Sequence, residues 1–213
     1  MSAPRSSAAK PPAKLRAALA RLPLDRMRVL ECASGPGLYL QHFGTGSIGL
    51  DSSEEACAKA ASIPLQVRHC DLDQENWANA LADDEPFEAA WLCDVLMHVA
   101  SPEGFLAQLP AQLAPGAPVL SIEWTLPRKG RLIGLRTFLS RCIPGTRVAM
   151  SEPTHLRYFT QEEVETLLKE AGFIIEKRWL HSFSGILGAR FWTMLVHSFW
   201  PVQTILARAP ACK

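Results

Sequence analysis

The sequence contains no Cys-x-x-Cys pair, and no histidine is spaced to complete a zinc site with its six cysteines, at 32, 57, 70, 93, 142 and 212. The usual zinc-finger and dithiol-redox spacings are therefore missing, and no metal is expected. Charge of one sign is also lacking. Twenty-two Lys and Arg stand against 21 Asp and Glu, a net of +1. No basic field draws in nucleic acid, so no nucleic-acid partner is expected. No apolar run reaches the roughly 18 residues of a membrane span. The nearest, 183–200, is broken by Arg190 and His197. A secretory leader pattern is absent as well, which leads to the expectation of a reducing, cytoplasmic setting. Cys32, Cys70 and Cys93 each fall near the end of an apolar run. There a reduced thiol acts as a small buried hydrophobe.

What remains is a chain of 213 residues, 48% hydrophobic and 20% charged, enough for one domain with a sizeable core. Residues 1–14 are rich in Ser, Ala, Pro and Lys and lack acids. They read as a disordered tail ahead of a single domain over 15–213. Apolar runs at 27–32, 46–50, 65–70, 87–93, 117–123, 173–180 and 202–209 read as strands. Helical stretches fall between them: 13–22, 38–43, 54–61, 76–81, 101–113, 160–172 and 186–199. Thr160 with Glu163 forms a capping box, and Pro102 suits a first helical position. This alternation predicts an α/β fold, a Rossmann-like, doubly wound and mostly parallel seven-stranded sheet with helices on both faces. The last two strands are expected to pair antiparallel at one edge, making the last strand antiparallel. Residues 125–159 are long and irregular, and a loop of this length in a compact domain reads as a lid over an acceptor. Its Arg128, Lys129, Arg131, Arg136, Arg141 and Arg147 offer an anion-receiving face or a solvated one.

In an open α/β sheet, ligands bind beyond the carboxyl ends of the strands. Glu31, Asp51, Asp71 and Asp94 stand at four successive predicted strand ends. The first loop is Glu31-Cys32-Ala33-Ser34-Gly35-Pro36-Gly37, where Gly35 and Gly37 permit a sharp turn and a close ligand. It has neither the Lys of a phosphate-binding loop nor the GxGxxG spacing of a dinucleotide site. Asp51 can accept two hydrogen bonds from vicinal hydroxyls or, with Ser52 and Ser53, open a helix.

At these residues the chain resembles the class I methyltransferases that use S-adenosylmethionine (SAM). Val29 to Gly37 is similar to their first motif, an acid followed by a glycine-rich GxGxG, with Ala33 in place of the first Gly. Residues 93–99 with Pro102, and 155–160 with Ala171-Gly172-Phe173, resemble segments of the UbiE-like and MetW-like branches. The resemblance runs from about Met27 to Ala209. It implies SAM as cofactor, with Glu31 organising the loop or the SAM amino group. Ala33, Ser34, Gly35 and Gly37 would face its methionine part. Asp51 would hold its ribose, with Ser52 beside it, and Asp71 and Leu72 would meet its adenine. Cys93 and Asp94 would lie beside the methyl donor. It also implies methyl transfer to a small-molecule acceptor of unstated identity, with His98 and His155 as candidate bases. The MetW-like likeness leaves a second reading open, a SAM-binding partner of another enzyme with little turnover. A homodimer is open too.

Overall fold

The computed structural model describes residues 10–126, 156–181 and 202–211. Eight strands form one sheet: β1 (Val29–Cys32), β2 (Ile48–Asp51), β3 (Gln66–His69), β4 (Ala89–Cys93), β5 (Pro118–Leu126), β6 (Phe159–Thr160), β7 (Ile174–His181) and β8 (Val202–Arg208). The order is β3-β2-β1-β4-β5-β8-β7, with the two-residue β6 pairing β5 off this path. Neighbours from β3 to β5 are parallel. β8 runs antiparallel to both β5 and β7. The expected antiparallel last strand is present, but it lies inside the sheet, inserted between β5 and β7, and β7 takes the edge. The two-residue β6 is an addition to the seven expected strands.

Burial explains this order. β1 and the Ala-Ala-Trp-Leu part of β4 are buried at every position, as strands covered on both faces must be. The edges are different. β3 presents Gln66, Arg68 and His69, and β7 carries Glu176, Lys177 and Arg178 beside a bulge between Ile175 and Lys177. Charge and a bulge both discourage edge-to-edge pairing with another chain.

Helices α1 (Ala13–Leu19), α2 (Glu54–Ala61), α3 (Pro102–Gln108) and α4 (Gln161–Glu170) accompany the sheet. The period-two alternation of side chains splits the core in two. Leu30, Cys32, Leu92 and Val119 face Phe105 and Leu106 of α3 and Leu167 and Leu168 of α4. Val29, Ala89, Trp91, Leu120 and Ile122 face Leu15 and Ala18 of α1 together with Leu40 and Phe43. The capping box at Thr160 forms as expected.

Three predicted helices are shorter or tighter than expected. After the glycine loop only a 3-10 turn forms, Leu40–His42. The chain leaves it because Gly44 must press against the backbone of Arg26 and Met27, where a Cβ would lie 2.5 Å from the Met27 carbonyl oxygen. Residues 76–81 also form a 3-10 turn, Trp77–Leu81. α3 gives way to a 3-10 turn at Leu109, since Pro110 has no N–H to continue an α-helix. At the start of the chain α1 begins at Ala13, so Lys14 belongs to the folded domain and not to a tail. The residues proposed as a lid at 127–155, and the predicted helix at 186–199, lie outside the described residues.

Trp91 is the largest side chain on the α1 face that is wholly buried, and its ring lies 5.3 Å from Tyr39 and 5.7 Å from Phe43. Among the described residues its indole N–H has no hydrogen-bond partner. Trp91→Ala is expected to lower unfolding free energy by about 3–5 kcal/mol, read from denaturant midpoints. Trp91→Phe is expected to cost clearly less, because it also removes the unpartnered donor. Equal losses would show that shape, not the cavity, dominates.

Candidate functional site

Because β1, β2 and β4 are parallel neighbours, their carboxyl ends share one edge of the sheet. The loop after β1 turns through three left-handed residues, Ala33 (φ 54°), Gly35 (φ 53°) and Gly37 (φ 84°). Two are glycine, for which this region carries no Cβ penalty. At Ala33 the same conformation costs about 1–2 kcal/mol. The Ala33 side of the loop is exposed, and a Cβ on Gly35 would meet nothing within 4 Å, so the loop borders open space. Ser34 is sunk against β2, where a Cβ on Gly49 would stand 2.4 Å from its Oγ. Gly49 is therefore a requirement of the loop, supplied from a neighbouring strand.

Asp51 holds this loop in place. One carboxylate oxygen accepts the Gly35 N–H at 2.7 Å, and the other accepts the Ser53 N–H at 2.9 Å. The Ser53 side chain then caps α2. A carboxylate offers about four acceptor positions, so two remain for a ligand. Ser52 is exposed, and its carbonyl meets His69 Nε2 at 2.9 Å. The Cys70 N–H donates to the Asp51 carbonyl at 2.8 Å and brings the next loop alongside. In that loop Asp71 accepts the Asp73 N–H at 3.0 Å, and Leu72 is buried in the core. Asp73 accepts the N–H groups of Ala100 and Ser101, tying this loop to the start of α3.

Glu31 is buried, and its Oε2 has no partner among the described residues. Burial pushes its carboxyl well above the usual range; the Leu40 N–H opposes this and the Asp51 charge adds to it. The direction follows from the high cost of burying a bare charge.

At the end of β4, Asp94 is also left-handed (φ 57°), and its N–H donates to Ile122 of β5 at 2.8 Å. Its Oδ2 lies 2.5 Å from Lys14 Nζ, while its Oδ1 is buried and has no partner among the described residues. Lys14 also donates to Cys93 Sγ at 3.5 Å and sits 5.9 Å from the centre of the Trp124 ring. Burial would lower the Lys14 ammonium, but Cys93 and Asp94 turn the net shift upward, so it stays charged. The Cys93 thiol is 3.7 Å from the Tyr39 hydroxyl, and burial followed by the Asp94 charge pushes it up to about 12. It is a thiol at neutral pH. Beneath Asp94, Glu123 of β5 accepts the N–H groups of Val95 and Leu96, both at 3.2 Å, through one oxygen. Its other oxygen is buried and has no partner among the described residues. Burial, then the charge of Asp94, pushes its carboxyl up to about 8.

Glu31, Ser34, Gly35, Asp51, Cys93 and Asp94 thus meet around one edge of the sheet, with Asp71 in the adjoining loop. His98 is half-buried at the end of the 3-10 turn Leu96–His98 that follows Asp94. His155 lies outside the described residues, as do the six basic residues proposed for the lid. The next residue, Leu156, donates its N–H to the Met97 carbonyl at 2.9 Å. Sequence reasoning missed Lys14, Tyr39 and Glu123. Glu123 had a legible signal, an acid ending a fifth apolar run. Lys14 had none, since its partner Asp94 is 80 residues away. Two open surface grooves, of about 560 and 350 Å³, hold none of these acids.

A family model described as a methyltransferase domain matches residues 6–177. A ubiquinone biosynthesis O-methyltransferase of Maricaulis maris is 26% identical over 156 residues. That match spans 70% of this chain and 60% of the relative's own length. Among solved structures, a methyltransferase of Haloferax volcanii in complex with its Trm112 activator superposes with a TM-score of 0.69 at 18% identity, covering 93% of this chain and 89% of the other. An S-adenosylmethionine-dependent methyltransferase of Mesorhizobium loti gives 0.66 at 18% identity, with 92% and 98% covered. At these identities the structures share the fold.

Glu123 makes stability depend on pH in a defined direction. Its folded carboxyl lies at about 8, above the ordinary 4.5. The stabilisation is full below pH 4.5 and is lost as pH rises through 8. Glu123→Gln keeps an oxygen for Val95 and Leu96 and cannot ionise. Denaturant midpoints at pH 5, 7 and 9 are expected to fall more steeply in the wild type than in Glu123→Gln. Some slope is retained in the variant because Glu31 is shifted in the same direction. Parallel profiles would place the titrating group elsewhere.

Proposed function

Since the chain belongs to the methyltransferase-domain family, its model covering residues 6–177, we propose that it transfers a methyl group from SAM to a small-molecule acceptor. The observation that carries this reading is Asp51, which anchors the left-handed Gly35 loop with two acceptor positions still open. The residues fit a cationic, ribose-bearing cofactor. Open space lies before Gly35, and one carboxyl oxygen each of Glu31 and Asp94 has no partner among the described residues.

SAM supplies a methyl group already activated by its sulfonium. The chain's task is alignment, exclusion of water and handling of one proton. Ala33, Ser34, Gly35 and Gly37 border the methionine part, with Glu31 behind them. Asp51 receives the ribose hydroxyls, Ser52 lies beside it, and Asp71 with the edge of Leu72 borders the adenine. Cys93 and Asp94 flank the reacting centre. His98 accepts the acceptor's proton, or His155 does so from the segment beside Leu156. The name of the M. maris relative favours an oxygen acceptor. Among the described residues no helix is long and apolar enough to cross a membrane. The reading includes a cytoplasmic setting.

A second reading, a SAM-binding partner of another enzyme, has one supporting observation: the similar H. volcanii chain was solved with an activator protein bound. Calorimetric titration with SAM, its demethylated product and NADH separates the readings. Saturable binding of the first two, and none of NADH, is expected. Asp51→Ala is expected to weaken SAM by roughly 10–100-fold, the loss of charged hydrogen bonds. Unchanged affinity in a folded variant would remove Asp51 from the ribose site. Binding without methyl transfer would favour the partner reading.

His98→Ala is expected to keep SAM affinity within about twofold while lowering methyl transfer by roughly 100-fold or more, scored as labelled product. Unaltered transfer would shift the proton acceptor to another group.

A further inference from the structure

At the end of β4 the charges are already balanced before any ligand arrives. Lys14 Nζ lies 2.5 Å from Asp94 Oδ2, so an ammonium cancels that carboxylate. A sulfonium beside Asp94 would add a positive charge to a partly buried setting, where an uncompensated charge is costly. The demethylated cofactor product lacks that charge.

Glu123 is placed to answer it. One of its oxygens takes the N–H groups of Val95 and Leu96, the two residues after Asp94. The Asp94 N–H is tied to Ile122, the residue before Glu123. The two carboxyls thus flank a single turn. Across the β5–β8 ladder Glu123 stands directly opposite Gln203; the two are 1% and 2% exposed. Glu123 Oε2, Asp94 Oδ1 and Gln203 Oε1 are all buried, and none meets a donor among the described residues. Buried acceptors without a donor are costly, and a protonated Glu123 brings an O–H that its ionised form lacks. Burial and then the Asp94 charge hold this proton, while the Leu96 and Val95 N–H groups and Lys14 oppose them. A further cation acts in the same direction as Lys14. The other ionisable groups nearby are Cys93 at the end of β4 and His98, which closes the turn. Glu31 of β1 is a second buried acid pushed upward.

We propose that Glu123 is the charge-compensating residue of the cofactor site, losing its proton when cationic SAM binds and keeping it when the demethylated product binds. This rests on the reading of the site as a SAM site. The Glu123 O–H bond breaks, its electron pair stays on the carboxylate, and the proton goes to solvent. The charges of Lys14, Asp94, Glu123 and the sulfonium then sum to zero, as those of Lys14 and Asp94 do in the free protein. Glu123 does this without touching the ligand, through Asp94, whose side chain is about one-third exposed.

Calorimetric titration of the full chain near pH 6.5, in two buffers of different ionisation enthalpy, counts the protons released per ligand bound. At this pH the amino groups of SAM and of its demethylated product are both charged and cancel in the difference. SAM is expected to release roughly half a proton or more beyond the product. In Glu123→Gln this excess is expected to vanish. Lys14→Met, which leaves the buried position untouched, is expected to shrink it, since Asp94 then balances the sulfonium and Glu123 keeps its proton. Equal release by the two ligands in the wild type would overturn the proposal. So would an undiminished excess in Lys14→Met, or one retained in Glu123→Gln, which would move the proton to a group such as Glu31. Should neither ligand bind, the SAM reading fails, and the proposal with it.

Discussion

Four strands, β1, β2, β4 and β5, are hydrogen-bonded in parallel register in the middle of the sheet, and β1 and most of β4 are buried on both faces. Parallel neighbours end at the same edge. Acids that are distant in sequence therefore arrive side by side, with no need for any attraction between them. The price of this arrangement is electrostatic. Burying an ionised carboxylate is costly unless it is paired or richly hydrogen-bonded. The protein meets the cost in two ways. Glu31 and Glu123 are pushed toward their neutral forms by burial. Asp51 and Asp94 are given partners, backbone N–H groups for the first and Lys14 for the second.

The two left-handed turns follow from the same geometry. A strand that ends beneath a binding edge must turn sharply, and positive φ angles achieve this at Ala33 to Gly37 and at Asp94. Non-glycine residues hold such angles only when their surroundings over-determine them. Asp51 does so for the first turn, through Gly35. For the second, the Asp94 N–H is tied to Ile122, and Glu123 grips the next two N–H groups. Both turns are thus supported by an acid from the neighbouring strand. The two faces of the sheet also have different duties. Helices α3 and α4 close one core, while α1 closes the other and carries Lys14 to the site.

Strand existence and the parallel class were legible in the sequence because buried strands are continuous apolar runs bounded by turns. The glycine loop and the acids at 31, 51, 71 and 94 were legible for the same reason, as polar residues punctuating those runs. Helix type was less so. The turn at 40–42 is short because Gly44 must approach another backbone segment, a constraint visible only in three dimensions. Pro110, in contrast, was a local signal that the reading of a helix to 113 passed over.

What the sequence alone determined is the alternation that yields a mostly parallel sheet, and the residue types available at its carboxyl edge. Both follow from local pattern, apolar period and glycine placement. The tertiary structure decided the rest. It inserted β8 between β5 and β7, since the choice of neighbour depends on which faces are left uncovered after the earlier strands have paired. It also assigned Asp51 a structural grip on Gly35, set Gly49 under Ser34, and brought Lys14 to Asp94. Each of these is a contact between segments whose separation no local pattern records, and each exists because packing the two cores leaves those groups nowhere else to go.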